Sequence, residues 1–185
     1  MLLFSRLICV FIFSVSLAWA EGEQGFEGTH TYVESGVLYS NVQTFEQDSY
    51  ILKVIGSGSP MTVFWQFEVF QERDYWLNKQ VVSVRLGRQV IPDLVTKRWL
   101  MRDLSSGVVT HTNDAQEAMR FLTGIAKVAV LDVSILNENA AYILQTKLFL
   151  YEAEEAQESW LPLFGNSGIE ISETPLVLET FVDDE

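Results

Sequence analysis

The residue types that most often carry chemistry are sparse and poorly placed in this chain of 185 residues. It has two histidines, His30 and His111, far apart in sequence. A nucleophilic triad needs a histidine beside a serine and oriented by a carboxylate. His111 stands just ahead of a helix cap and reads as a strand-end residue. The segment Gly56-Ser57-Gly58-Ser59-Pro60 superficially resembles a nucleophile elbow. It lacks the G-x-S-x-G spacing, and it lies between helix and strand instead of strand and helix. It also lacks the Lys-Ser/Thr end of a phosphate loop, so it reads as a turn. No paired histidines occur at metal-ligand spacing. Glu154 and Glu158 would lie one turn apart on a helix. The central glycine and alternating oxygens of a calcium loop are missing there, and the cluster reads as solvated. Glycoside hydrolysis needs two carboxylates at a set separation. With 25 acidic residues a pair is always available, so abundance assigns nothing. The expectation is therefore no catalytic residue, no metal, no cofactor and no enzyme.

Recognition chemistry is better represented. Arg73-Asp74-Tyr75-Trp76 falls between two strand patterns, and Arg, Tyr and Trp dominate binding hot spots. Trp76 has two readings: an exposed recognition residue, or a cap on the open end of a sandwich. The formal charge is −13, unevenly spread. Basic residues gather between Glu72 and Arg102, and no Lys or Arg follows Lys147. If Trp99 and Met101 point inward, Arg98 and Arg102 share the outer face of one strand, with Arg85 on the same face of the strand before it. Arg85, Arg98 and Arg102 would then form a basic surface, covered in part by the chain's own acidic tail and in part by an acidic partner. A plainly solvated surface is the competing reading. The candidate partner-binding residues are Arg73, Tyr75, Trp76, Arg85, Arg98 and Arg102.

The N-terminus directs the chain out of the cytoplasm. Arg6 precedes an apolar run from Leu7 to Leu17, and Ala18-Trp19-Ala20 supplies small residues at a signal-peptidase site. Cleavage after Ala20 is expected, because the run is well short of the ~20 residues that span a bilayer. It removes Arg6, taking the charge from −13 to −14, and Cys9, the one cysteine. The mature chain would hold no disulfide and no stable membrane span. Its acidity excludes nucleic acid and anionic lipid as partners of the overall field.

The elements that must position these residues read as mainly β. Strands are predicted at Thr29–Glu34 and Val37–Thr44 around a Ser35-Gly36 turn, then a brief helix from Glu46 to Ile55. Met61, Val63, Trp65, Phe67 and Val69 alternate without interruption, which marks a central strand over Met61–Phe70. Gln80–Val90 is its partner, followed by strands at Val95–Arg102 and Val108–His111. Asn113 is the expected cap of a helix with Ala115, Ala118, Met119 and Leu122 in one stripe, stopped by a left-handed Gly124. Strands at Lys127–Ile135 and Ala141–Tyr151 come next. Trp160–Phe164 reads as an apolar plug, and a last strand covers Leu176–Phe181. The expected fold is an antiparallel β-sandwich of about seven to nine strands with two short helices. The expected organisation is a signal peptide over 1–20, a flexible lead over 21–28 and a single β-rich domain over 29–182.

Ser57-Gly58-Ser59-Pro60, the aromatic strand Val63–Phe70, Arg73-Asp74-Tyr75-Trp76, Asp114–Leu122 and Tyr142–Leu150 occur in an order that resembles a secreted proteobacterial family known only as a domain of unknown function. The likeness covers nearly the whole mature chain and departs at the C-terminus. Members of that family are often encoded beside a nitrogen-regulation-type sensor histidine kinase. The resemblance implies a periplasmic location and no established catalytic residues. The signal peptide, the β-rich single domain and the lack of a catalytic constellation point to an exported, non-enzymatic binding or accessory protein with an envelope protein as partner, and the family's gene neighbourhood suggests the outer segment of a sensor kinase. The alternatives are an envelope hydrolase acting on glycan or peptide through paired carboxylates, and an edge-strand subunit of an envelope assembly. Nothing in the residues sets an oligomeric state.

Overall fold

The computed structural model describes residues 28–137, 139–152 and 169–176. The expected signal peptide, all but residue 28 of the expected lead, the acidic stretch after Glu152, the expected Trp160–Phe164 plug and residues 177–181 of the expected last strand lie outside them. Among the described residues there are nine strands in two antiparallel sheets. A three-stranded sheet has the order β1 (Gly28–Glu34), β2 (Val37–Gln43), β7 (Gly124–Asp132). A six-stranded sheet runs β6 (Val109–Thr112), β5 (Arg98–Asp103), β4 (Lys79–Asp93), β3 (Met61–Gln71), β8 (Tyr142–Tyr151), β9 (Ile169–Leu176). Two helices complete it, α1 (Asp48–Gly56) and α2 (Ala115–Thr123). The expected mainly β, sandwich-like fold is what the chain forms.

The alternating apolar row of β3 organises the core. Met61, Val63, Trp65, Phe67 and Val69 are each fully buried. They continue across register into Val82, Val84, Leu86 and Val90 of β4 and into Leu144 and Leu148 of β8. Burying each such side chain contributes about 1.5–3 kcal/mol. This inner face is covered in two halves. Helix α2 packs against β4, β5 and β6, and Trp65 Nε1 donates to the Leu122 carbonyl at 3.1 Å. Strand β1 crosses the other half, where the Thr29 hydroxyl meets those of Thr146 and Ser172. Helix α2 was expected at one sheet edge; it reaches from the β6 edge to the central strand.

Several boundaries differ from expectation for identifiable reasons. Strand β5 starts at Arg98, not Val95. The Asp93 carboxylate accepts the Val95 and Thr96 amides at 2.9 and 3.2 Å and the Thr96 hydroxyl at 2.7 Å, folding those residues into a hairpin turn. Strand β4 passes through Pro92 without loss, because the missing N–H lies beyond the last β3 partner, Met61 opposite Val90. Asp114, not Asn113, caps α2: its carboxylate accepts the Gln116 amide at 2.8 Å. A carboxylate there also meets the positive end of the helix dipole. Gly124 is extended, with φ −129°, and leads straight into β7 with no left-handed stop. The strand expected to end at Ile135 yields to a 3-10 turn over Val133–Ile135, capped by Asp132. Among the described residues the last strand covers Ile169–Leu176, whose final residue is the first of the expected last strand; the rest of that expectation lies outside the described residues.

Candidate functional site

The β3–β4 hairpin projects past its neighbours. Its ladder closes at Gln71 opposite Lys79, and residues 72–78 form the tip. Tyr75, Trp76 and Leu77 are 92%, 80% and 92% exposed. Three consecutive large apolar side chains in water have no folding rationale of their own, and such exposure marks an interaction surface. Trp76 therefore does not cap the sandwich. At the root of the tip the Glu72 amide donates to the Ala141 carbonyl at 2.9 Å, tying the hairpin to the turn before β8. Between them opens a cleft of about 540 Å³, lined by Gln71, Glu72, Arg73, Asp74, Asn78 and the segment 139–141. The site thus pairs a protruding aromatic tip with a polar hollow. Sequence reasoning named Arg73, Tyr75 and Trp76 but missed Leu77, Asn78 and the 139–141 segment. Leu77 was visible as the third apolar residue of an unalternating run inside a polar loop. The 139–141 contact depends on the β3–β8 register, which no local pattern encodes.

The remaining candidates do not join this site. Arg85, Arg98 and Arg102 do share the outer face of the six-stranded sheet, as the register with Gln66, Asp93 and Gln89 places them. They are not a cluster. Arg102 pairs with Gln89, four residues along β4 from Arg85, a separation of about 14 Å from strand geometry. At that distance in water two unit charges repel by about 0.3 kcal/mol, and salt screens most of it. Asp93 lies directly opposite Arg98. Arg85 stacks 4.2 Å from the centroid of Phe64, with Phe149 at 5.8 Å. At this spacing their mutual repulsion does not by itself require an acidic cover. The acidic tail assigned to that cover lies outside the described residues.

Buried polar groups near the site are paired. Glu68, on the outer face of β3, accepts from Lys147 Nζ at 3.0 Å and from Gln80 at 3.3 Å. Glu72 and Asp74 line the cleft and are exposed. His30 packs 6.1 Å from the Tyr32 ring on β1, while His111 lies on β6 at the edge of the other sheet. No three His, Cys, Asp or Glu side chains gather at metal-binding distance among the described residues. No helix among them is long and apolar enough to cross a membrane.

Fold and site together define a two-sheet antiparallel β protein with an exposed aromatic hairpin tip. The chain belongs to the family described as Domain of unknown function (DUF4390), whose model matches residues 31–158, from β1 past the end of β8. No curated protein matches the chain. No solved structure matches it either.

Proposed function

We propose that this protein is an exported, non-enzymatic binding module of the bacterial envelope that engages a protein partner through the β3–β4 tip. The observation that carries the reading is the exposure of Tyr75, Trp76 and Leu77 on one turn. Aromatic side chains bury about 150–250 Å² each, so this triplet supplies much of the ~800 Å² that one partner contributes to a standard interface. The adjoining polar hollow favours a protein over a flat lipid surface, because a bilayer has nothing to fill it. The outer segment of a sensor kinase is the partner suggested by the gene neighbourhood of the family it resembles. The signal peptide and periplasmic location belong to this proposal.

The test is recovery of cross-linked partners from envelope extract by the full chain and by a Tyr75→Ser/Trp76→Ser/Leu77→Ser variant. A specific partner should be recovered by the parent and fall at least tenfold with the variant, at an unchanged thermal midpoint. Recovery of no specific partner, or equal recovery by both proteins, overturns the reading. The competing hydrolase reading would rest on Glu72 and Asp74 in the cleft. A glycosidase acid works from apolar surroundings, and only Ala140 and Ala141 are apolar here.

A further inference from the structure

We infer that the free edge of β6 is a docking site for an extended acidic peptide segment of a partner, added to the six-stranded sheet as a further strand. The register and one hydrogen bond carry the argument. Strand β6 pairs antiparallel with β5, Arg102 opposite Val109 and Leu100 opposite His111. The Asp103 amide donates to the Val108 carbonyl at 2.9 Å, so that pair is hydrogen-bonded. Antiparallel pairs alternate between bonded and non-bonded. Thr110 and Thr112 therefore bond inward to β5, and the N–H and C=O groups of both Val109 and His111 point away from the sheet. No described residue meets them. Val109 is 44% exposed, and His111 and Thr110 are exposed as well. Edges of this kind are blunted by proline, lysine, a bulge or a short strand. β6 has only its shortness: Val-Thr-His-Thr contains neither proline nor lysine, and its register is unbroken.

Charge selects the occupant. On the outer face Arg102 stands beside Val109, and Arg98 lies further along β5, both exposed. An added strand would lie about 10 Å from the β5 backbone, two strand spacings away, within reach of an extended arginine. On the inner face the neighbouring α2 presents Glu117, whose carboxylate accepts from the Thr112 hydroxyl, and Asp114, which caps the helix and lies 3.9 Å from Arg120. An incoming segment thus meets cations on one face and carboxylates on the other. The matching segment alternates acidic residues outward with neutral residues inward. The β6 of a second copy, Val-Thr-His-Thr, brings no carboxylate to Arg102, so it fits less well.

The probe is a labelled eight-residue peptide alternating Glu and Thr, titrated against the full chain by fluorescence anisotropy. A Lys-Thr peptide and a Glu-Thr peptide N-methylated at alternate residues are the controls. The Glu-Thr peptide should bind at least tenfold tighter than either control. Val109→Pro removes one outward N–H without touching the inner ladder, and Arg98→Ala/Arg102→Ala removes the cations. Each should weaken binding at least fivefold, and the hairpin-tip serine variant should leave it unchanged. No binding to the parent, equal binding of the N-methylated peptide, or a dimer in sedimentation that Val109→Pro dissolves would overturn the inference.

Discussion

Arg88 occupies a position where the alternation of its strand asks for an apolar side chain. Val82, Val84, Leu86 and Val90 flank it on the inner row of β4. Its guanidinium donates to the Phe121 carbonyl at 2.8 Å and to the Gly124 carbonyl, and lies 4.7 Å from the Phe121 ring centroid. These are carbonyls at the end of α2, where a cation also meets the negative end of the helix dipole. Burial pulls the Arg88 pKa below its ordinary value, while Asp103, opposite it in register, acts to raise it. This explains why Gly124 needs no left-handed turn: the side chain of another strand caps the helix. Hydrogen bonds from a charged group contribute about 1.5–3 kcal/mol each, so Arg88→Ala should lower stability by about 2–4 kcal/mol in urea unfolding. Arg88→Lys should recover only part of that, since an ammonium can donate to both carbonyls but offers no planar face to the Phe121 ring. An unchanged midpoint in Arg88→Ala would show that α2 closes without it. Sequence reading passed over Arg88, although alternation puts it on the inner row, two residues from Val90. Its partner was not legible, because 33 residues separate Arg88 from Phe121.

Among the elements, the β4–β5 hairpin depends most on one side chain. The Asp93 carboxyl is held below its ordinary pKa by the Thr96 hydroxyl first, then by the Thr96 and Val95 amides. A carboxyl whose folded pKa is depressed stabilises the fold above its unfolded value, near 3.9, and loses that contribution as pH falls through the folded value. Asp93→Ala should therefore melt below the parent at pH 7, and the difference should close as pH falls below the unfolded value and through the depressed folded one. A difference that persists unchanged at pH 2.5 would assign the effect to something other than the ionised carboxylate. The same turn shows what was readable at this scale. Strand existence followed from alternation: β1, β2, β3, β4 and β8 begin and end within a few residues of expectation. Ends were misplaced where side chains override alternation. Val95 alternates well, but Asp93 captures its amide. Asn113 and Asp114 are both cap residues, and geometry alone chose between them. The glycine stop rule missed at Gly124 because the helix feeds directly into a strand.

At the scale of the molecule, β3 lies inside the six-stranded sheet and is hydrogen-bonded along its length to β4 and β8. Its centre is therefore where a single change tests the whole assignment. The strand also links two distant surfaces through its partner. β4 runs from the hairpin tip at Lys79 to Asp93 opposite Arg98, about 45 Å of strand. The candidate residues that looked like one region in sequence are thus spread along the sheet, Arg73, Tyr75 and Trp76 at the tip, Arg85 midway along β4, and Arg98 and Arg102 toward its far end. Phe67 and Gln66 are adjacent on β3 and point to opposite faces. Phe67 is fully buried, opposite Val84 and Thr146. Gln66 is half-buried, between Arg85 and Lys147 on the outer face. Phe67→Asp removes a core ring at a cost of about 3–5 kcal/mol and buries a carboxylate with no partner, which costs more still. The sum is comparable to the entire stability of an ordinary domain, about 5–15 kcal/mol. The variant should show no cooperative thermal transition by circular dichroism, and Val63→Asp should behave the same way. Gln66→Asp places the same carboxylate one residue away between two cations, and it should melt cooperatively within a few degrees of the parent. Native-like melting of Phe67→Asp, or collapse of Gln66→Asp, would show that the two faces of β3 have been assigned the wrong way round.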